Sequence, residues 1–106
     1  MRVVLGTFAL GLTACASVSY SANGTVPARA ARGAELIVVH MMSDPPPRDF
    51  VVAGELHASS SASAKSLELL RQEAAKNGLD GVADVVCAPS GSRDDGSCEG
   101  KGFVYR

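Results

Sequence analysis

The most reactive side chains in this sequence are its cysteines, and the first of them follows a short apolar run. Cys15 comes after the apolar residues 3–12, and Arg2 is the one charge before that run. A cysteine thiolate is a nucleophile that can accept a lipid as a thioether. A positive residue, an apolar run and small residues, in that order, are typical of a secretory signal. The run of about 10 residues is too short for a helix across a bilayer, which needs roughly 20, so we predict a removable signal.

The tetrad Leu12-Thr13-Ala14-Cys15 resembles the bacterial lipobox. This resemblance implies cleavage before Cys15, with residues 1–14 as the lipoprotein signal peptide and Cys15 as the acylated residue. Several acyl chains, each adding about 0.8 kcal/mol per buried CH₂, make a durable membrane anchor. Because no Asp follows Cys15 at the second position, the resemblance favours the outer membrane, with the domain facing the periplasm. An ordinary secretory signal is the alternative, since Ala14-Cys15-Ala16 also fits the A-x-A cleavage rule.

The two remaining cysteines, Cys87 and Cys98, are an even pair in an oxidising compartment. We predict a disulfide between them, which closes a loop of 12 residues. The chain-entropy model gives such a loop a stabilisation of about 3 kcal/mol. A two-cysteine metal site is disfavoured, because the pair lacks C-x₂-C spacing and a nearby His.

A second chemistry to consider is metal binding by His40, Met42 and His57, because imidazole and thioether groups are ligands for Cu(I). Met41 points to the opposite face of a strand from its neighbours and cannot join them. A strand end with two methionines that fill gaps is the simpler interpretation. We therefore predict no metal site and keep a periplasmic metal-binding protein with these three ligands as the alternative function.

The sequence offers no recognisable catalytic constellation. It contains no G-x-S-x-G motif and no phosphate-binding glycine loop, and neither His has a partner motif. The acidic pair Asp94 and Asp95, with Glu99 nearby, lacks the register of a calcium loop and is expected to be solvated. After loss of Arg2, nine basic and eleven acidic residues remain, without a basic cluster. We predict no enzyme, no cofactor, no small-molecule ligand and no nucleic-acid partner.

The elements that hold these residues are expected to start at Gly33. Residues 15–32 are predicted to be the lipidated Cys and a flexible tether, and residues 33–106 to be one domain. Two β-branched and apolar runs flank Pro45, Pro46 and Pro47 and predict two strands, which could form a hairpin. In the second run, alternation places Val51, Ala53 and His57 on one face, away from Phe50, Val52, Gly54 and Leu56.

A change of period predicts a helix after Ser61 or Ser63, either of which can serve as its N-cap. Leu67, Leu70 and Ala74 form its apolar stripe. Glu68 with Arg71, and Glu73 with Lys76, are expected to pair on the solvated side. Gly78 and Leu79 fit the positions that end such a helix.

Two more strands follow, "GVADVVC" and "KGFVYR", so the predicted fold class is α+β. We expect a two-layer β-β-α-β-β domain in which one helix packs on a small sheet. The surface not covered by that helix, carrying for instance Val51, Ala53 or His57, is the expected contact surface.

The segments "VVAGELHA", "LLRQEAAKNG", "LDGVADVV" and "GKGFVYR" resemble the RcsF/YbjQ-like group of small bacterial domains. The resemblance covers about residues 34–106. It implies an outer-membrane lipoprotein with a β-β-α-β-β core and, in one branch of the group, a sensor of envelope stress that acts through protein contacts. That branch has four domain cysteines and a long tether, whereas this domain has Cys87 and Cys98. The expected function is a non-catalytic module that binds envelope proteins or has a structural role.

Overall fold

A computed structural model describes residues 16–106, so the predicted signal peptide and Cys15 lie outside the described residues. The described chain is an α+β fold in which one helix packs on a five-stranded mixed sheet, whose neighbouring strands are, in order, Ser17–Ala22, Phe50–Ser59, Ser97–Tyr105, Gly81–Cys87 and Val38–Met41. The predicted fold class is confirmed, with one further strand in front of the β-β-α-β-β core. The elements are β1 (Ser17–Ala22), a 3₁₀ helix (Ala34–Leu36), β2 (Val38–Met41), β3 (Phe50–Ser59), α1 (Ser63–Lys76), β4 (Gly81–Cys87) and β5 (Ser97–Tyr105).

The predicted hairpin between the second and third strands is wrong. β2 pairs in parallel with β4 at the sheet edge, and β3 pairs antiparallel with β1 and β5. The eight residues 42–49 connect β2 to β3 and include three consecutive prolines. Hairpin loops most often have two to five residues, and prolines have no N–H to donate to a ladder. The longer connection instead carries the chain past β4 and β5.

The predicted flexible tether is also wrong, because six of the residues assigned to it form β1. All six residues of β1 pair with β3, from Ser17 opposite Ser59 to Ala22 opposite Gly54. Val18 and Tyr20 are half-buried and pack against the core, and the Tyr20 hydroxyl donates to the Ala53 carbonyl at 3.2 Å. The strict alternation of serine with a larger apolar residue in "SVSYS" is a strand pattern with one buried face.

The rest of the predicted tether is tied to the domain through Asp80. Its carboxylate accepts hydrogen bonds from the Arg29 guanidinium at 3.3 and 3.4 Å, from Arg32, and from the Tyr105 N–H at 2.8 Å. Partial burial raises the pKa of Asp80, but the Tyr105 hydrogen bond and the two arginines outweigh it and hold the pKa below its ordinary value. Within the described residues, the folded domain therefore includes β1 and the segment after it, which lie before the predicted start at Gly33.

α1 packs its predicted apolar stripe on the sheet. Leu70 and Ala74 are fully buried, and Leu67 packs against the same core. The helix ends as predicted, because Gly78 has a φ of +72° and the Leu79 N–H donates to the Ala74 carbonyl at 3.0 Å. These two features define a Schellman C-cap.

The start and the solvated side of α1 differ in part from expectation. The N-cap is Ala62, without a side-chain cap, because Ser63 is already helical and Ser61 stands one residue too early. The pair of Glu68 and Arg71 is confirmed at 2.7 Å. The Glu73 carboxylate accepts a hydrogen bond from the Asn77 side chain at 3.3 Å, and no ion pair with Lys76 forms.

Two glycines of the central strand β5 allow core side chains to pack closely against that strand on the side of α1. Gly100 and Gly102 are buried on the face that α1 covers. A Cβ at Gly102 would overlap the Leu79 side chain and crowd Leu56, and one at Gly100 would overlap Val82 and Val85. A side chain at either position would therefore force neighbouring core side chains to shift.

The predicted disulfide joins β4 to β5. Cys87 and Cys98 are directly opposite each other in the antiparallel ladder and are bonded. Cys98 is 1% exposed, and its bond closes the connection of residues 88–96 that joins the two strands. The bridge thus fixes the end of the sheet at which β1 starts.

We predict that Leu70→Ala lowers the free energy of unfolding by about 2 to 5 kcal/mol, because the substitution leaves a cavity beneath α1. Leu36→Ala is the matched control, since Leu36 is 55% exposed, and it should change stability by less than about 0.5 kcal/mol. Urea denaturation of the two variants measures both values. Equal losses would show that Leu70 does not face the sheet.

We predict that Asp80→Asn lowers stability by about 1 to 3 kcal/mol at neutral pH, because it removes a charged hydrogen-bond acceptor. Since folding lowers the pKa of Asp80, its contribution is complete above the ordinary aspartate pKa of about 3.9. The contribution is lost as the pH falls through the folded pKa. The stability gap between wild type and variant should therefore narrow below about pH 4.

Urea midpoints at a series of pH values measure this gap. Asp44→Asn is the matched control, because the exposed Asp44 side chain forms no ion pair within the described residues. A gap that stays constant through the acid range would contradict the role given to Asp80.

Candidate functional site

The sheet face opposite α1 carries two rows of polar side chains across three strands. Directly paired residues share a face, so one row joins Ser19, His57 and Glu99, and the next joins Ser21, Glu55 and Lys101. We call these six residues the polar face. They line an open groove of about 450 Å³ together with Asp84 of β4.

The charges of the polar face are arranged in complementary pairs. Lys101 is opposite Glu55 and has its Nζ 4.0 Å from an Asp84 carboxylate oxygen. The Nε2 of His57 lies 4.0 Å from Glu99 Oε1, with side chains 58% and 70% exposed. Exposed pairs at this distance contribute little to stability. These groups are therefore available to hydrogen-bond or pair with a partner at small cost to the fold.

Asp84 occupies an unusual backbone conformation beside this face. Its φ is +54°, and it lies where the register between β4 and β5 shifts. A left-handed residue at a β-bulge re-aims its side chain, and Asp tolerates this conformation better than most residues. The bulge turns the Asp84 carboxylate toward Lys101.

The predicted placement on the sheet face opposite the helix is correct for His57 and wrong for Val51 and Ala53. Val51 packs against the core and Ala53 is 3% exposed. The register between β3 and β5 shifts between Val52 and Gly54, so one extra residue interrupts the alternation. Residues before this bulge therefore point to the opposite side from the one that simple alternation gives.

At the other end of the same face lies an aromatic cluster that the sequence analysis does not identify. The Phe103 ring is fully buried and lies 4.9 Å from Phe50, 5.1 Å from Tyr105 and 5.9 Å from His40, measured between ring centroids. The Arg48 guanidinium lies 4.3 Å from the Tyr105 ring centroid. Such a cation over an aromatic face is attracted by the ring quadrupole. The signal in the sequence is the alternation of Phe103 and Tyr105 in the last strand.

The structure does not bring the three candidate metal ligands together. His40 lies in β2 at one sheet edge, and His57 lies in β3, three strands away. Three strand spacings amount to about 14 Å, much longer than a metal–ligand bond. Met42 follows the end of β2 and is 65% exposed. Within residues 16–106, no group of three or more His, Cys, Asp or Glu residues is placed to hold a metal ion.

The acidic residues Asp95 and Glu99, which are close in sequence, lie in different parts of the structure. The Asp95 side chain accepts a hydrogen bond from the Gly91 N–H at 2.9 Å and so closes a turn within the loop. Glu99 lies beyond that turn on the polar face.

In the part of the chain that the structure describes, α1 is too short and too polar to cross a membrane, and no other helix could do so.

Comparison with known proteins identifies a similar fold. The crystal structure of FvfA, a Francisella virulence factor, superposes with a TM-score of 0.59 at 17% sequence identity. The similarity covers 86% of this chain and 98% of the FvfA chain. At this identity the likeness establishes the α+β architecture. No protein-family model and no curated protein matches the sequence.

We predict that His40→Leu leaves the free energy of unfolding unchanged or raises it. His40 is 8% exposed, and neither ring nitrogen has a hydrogen-bond partner within residues 16–106. Replacing a buried polar group that lacks partners by an apolar group of similar size removes a desolvation cost. His40→Ala should instead destabilise by leaving a cavity beside Phe103. Thermal unfolding distinguishes these results, and a large loss in His40→Leu would show that the imidazole has a polar partner.

Proposed function

We propose that this chain is a lipid-anchored outer-membrane lipoprotein, related to the RcsF/YbjQ-like group, whose polar face binds another envelope protein without catalysis. The observation that carries the proposal is the difference between the two faces of the sheet. α1 covers one face, and the other presents exposed charged side chains. Rigid strands that display available polar groups are a suitable base for a binding surface.

The anchor in this proposal rests on the lipobox-like tetrad that ends at Cys15. The disulfide between Cys87 and Cys98 supports an oxidising compartment such as the periplasm. The proposed membrane attachment is a lipid, and no helix of the described residues is long and apolar enough to span a membrane. FvfA, which shares the fold, is a virulence factor, and a module that contacts other proteins is compatible with that description.

The polar face also indicates the chemistry of a partner. It carries the carboxylates of Glu55 and Glu99, with that of Asp84 beside them, against the single ammonium group of Lys101. A partner segment with basic side chains would complement this excess of negative charge. Stress sensing would then be a change in the occupancy of this face.

We predict that a photo-cross-linking amino acid at Glu99 yields one discrete adduct in the native envelope. The Glu99 side chain is 70% exposed, so the replacement should not disturb the fold. Lys76, which is exposed on the last turn of α1, is the matched control position and should give no adduct. Raised salt should weaken the Glu99 adduct, because charge pairs at a surface are screened.

Two companion variants make this experiment decisive. Glu55→Lys should reduce the adduct by reversing a charge within the polar face, and Cys15→Ser should move the protein from the membrane to the soluble fraction. Equal adducts from Glu99 and Lys76, or an adduct unaffected by Glu55→Lys, would contradict binding through the polar face.

A further inference from the structure

The first strand starts almost at the proposed lipid attachment point. Ser17, the first residue of β1, is two residues after Cys15. Two residues span at most about 7 Å when fully extended. Because β1 is paired with β3 along its whole length, only Ala16 lies between the proposed anchor residue and the sheet.

We propose that the domain rests directly on the phospholipid surface that holds its anchor, with one defined end of the sheet turned to the headgroups. This inference rests on the proposed acylation of Cys15. It identifies the lipid surface as a second contact of the domain, distinct from the protein contact assigned to the polar face.

The strand register defines the end that faces the membrane. Ser17 is opposite Ser59, and Ser59 is opposite Ser97 on its other side. Cys98, the next residue, is bonded to Cys87 at the end of β4. Four strands thus start or end at the level of Ser17, where residues 60–62 lead from β3 to α1 and residues 88–96 join β4 to β5. We call this end, with its two connections, the membrane-proximal end.

The composition of the membrane-proximal end suits a headgroup layer. Its exposed and half-buried serines supply hydroxyl groups that exchange hydrogen bonds with headgroups and water without the desolvation cost of a charge, and they are Ser17, Ser59, Ser61, Ser90, Ser92 and Ser97. Val86, one residue from the end of β4, adds an apolar side chain that is 44% exposed. Charged side chains at this end are confined to residues 93–95 of the longer connection.

This placement fixes the height of the other sites above the lipid. β1 rises through five residue steps from Ser17 to Ala22, which is about 17 Å. Phe50 and Tyr105 lie beyond that level, so the aromatic cluster points away from the membrane. The polar face then stands beside the membrane, with its His57 and Glu99 row nearest the headgroups.

Headgroup-linked nitroxide quenching of a fluorescent amino acid tests this placement. The label replaces either Arg93, in the membrane-proximal end, or Thr25, an exposed residue that follows β1 at the opposite end. The full acylated chain is reconstituted in phosphatidylethanolamine and phosphatidylglycerol vesicles that carry the nitroxide. We expect the label at position 93 to be quenched and the label at position 25 not to be quenched.

The matched control inserts about 20 Gly and Ser residues between Ala16 and Ser17, which gives a mean reach of about 25 Å. In this variant the difference between positions 93 and 25 should disappear. Equal quenching of the two positions in the original chain, or stronger quenching at position 25, would overturn the inference.

The same samples separate this inference from the proposed function. An intact mass without acyl chains would contradict the lipoprotein assignment alone. The orientation is then tested on a chain produced to begin at Cys15, with a maleimide lipid coupled to the Cys15 thiol, since Cys87 and Cys98 are occupied by their disulfide. The quenching pattern of that conjugate supports or overturns the inference by the same criteria.

Discussion

The pairing of β1 with β3 is the constraint on which the rest of the architecture depends. It places Tyr20 against the core and gives β3 a partner on each side. The Asp80 carboxylate forms ion pairs with Arg29 and Arg32, and these hold the segment between β1 and β2 against the domain. Residues 17–32, which the sequence predicts to be a flexible tether, are thereby part of the folded domain. If Cys15 is acylated as proposed, the short distance between lipid and domain follows from this arrangement.

The two faces of the sheet differ in polarity because β5 presents different side chains on each side. On the side of α1, Gly100 and Gly102 let apolar side chains approach the strand closely. On the other side, Glu99 and Lys101 remain in solvent, and Phe103 and Tyr105 form an aromatic cluster. Alternation within a single strand thus provides a dry core and a polar surface. The proposed binding surface and the stability of the domain are therefore separable by mutation.

The sequence predicts those features that depend on local periodicity or on a pair of reactive residues. The helix stripe with Leu70, its Schellman end at Gly78 and the bond between Cys87 and Cys98 are of this kind. The errors arise where tertiary contacts decide. The bulge near Ala53 reverses a face, and the parallel pairing of β2 with β4 depends on residues distant in the chain. The short serine-rich β1 has weak strand propensity, and its pairing with β3 determines its structure.

The measurement that tests the central claim most directly is amide hydrogen exchange of residues 17–22 in the mature chain. An edge strand has one set of amides directed to its neighbour and the other to solvent. We predict slow exchange at alternate amides of β1, at rates close to those of the β3 amides paired with it. Rapid exchange at all six amides, with β3 still protected on its β5 side, would show that this segment is a tether and would contradict the account.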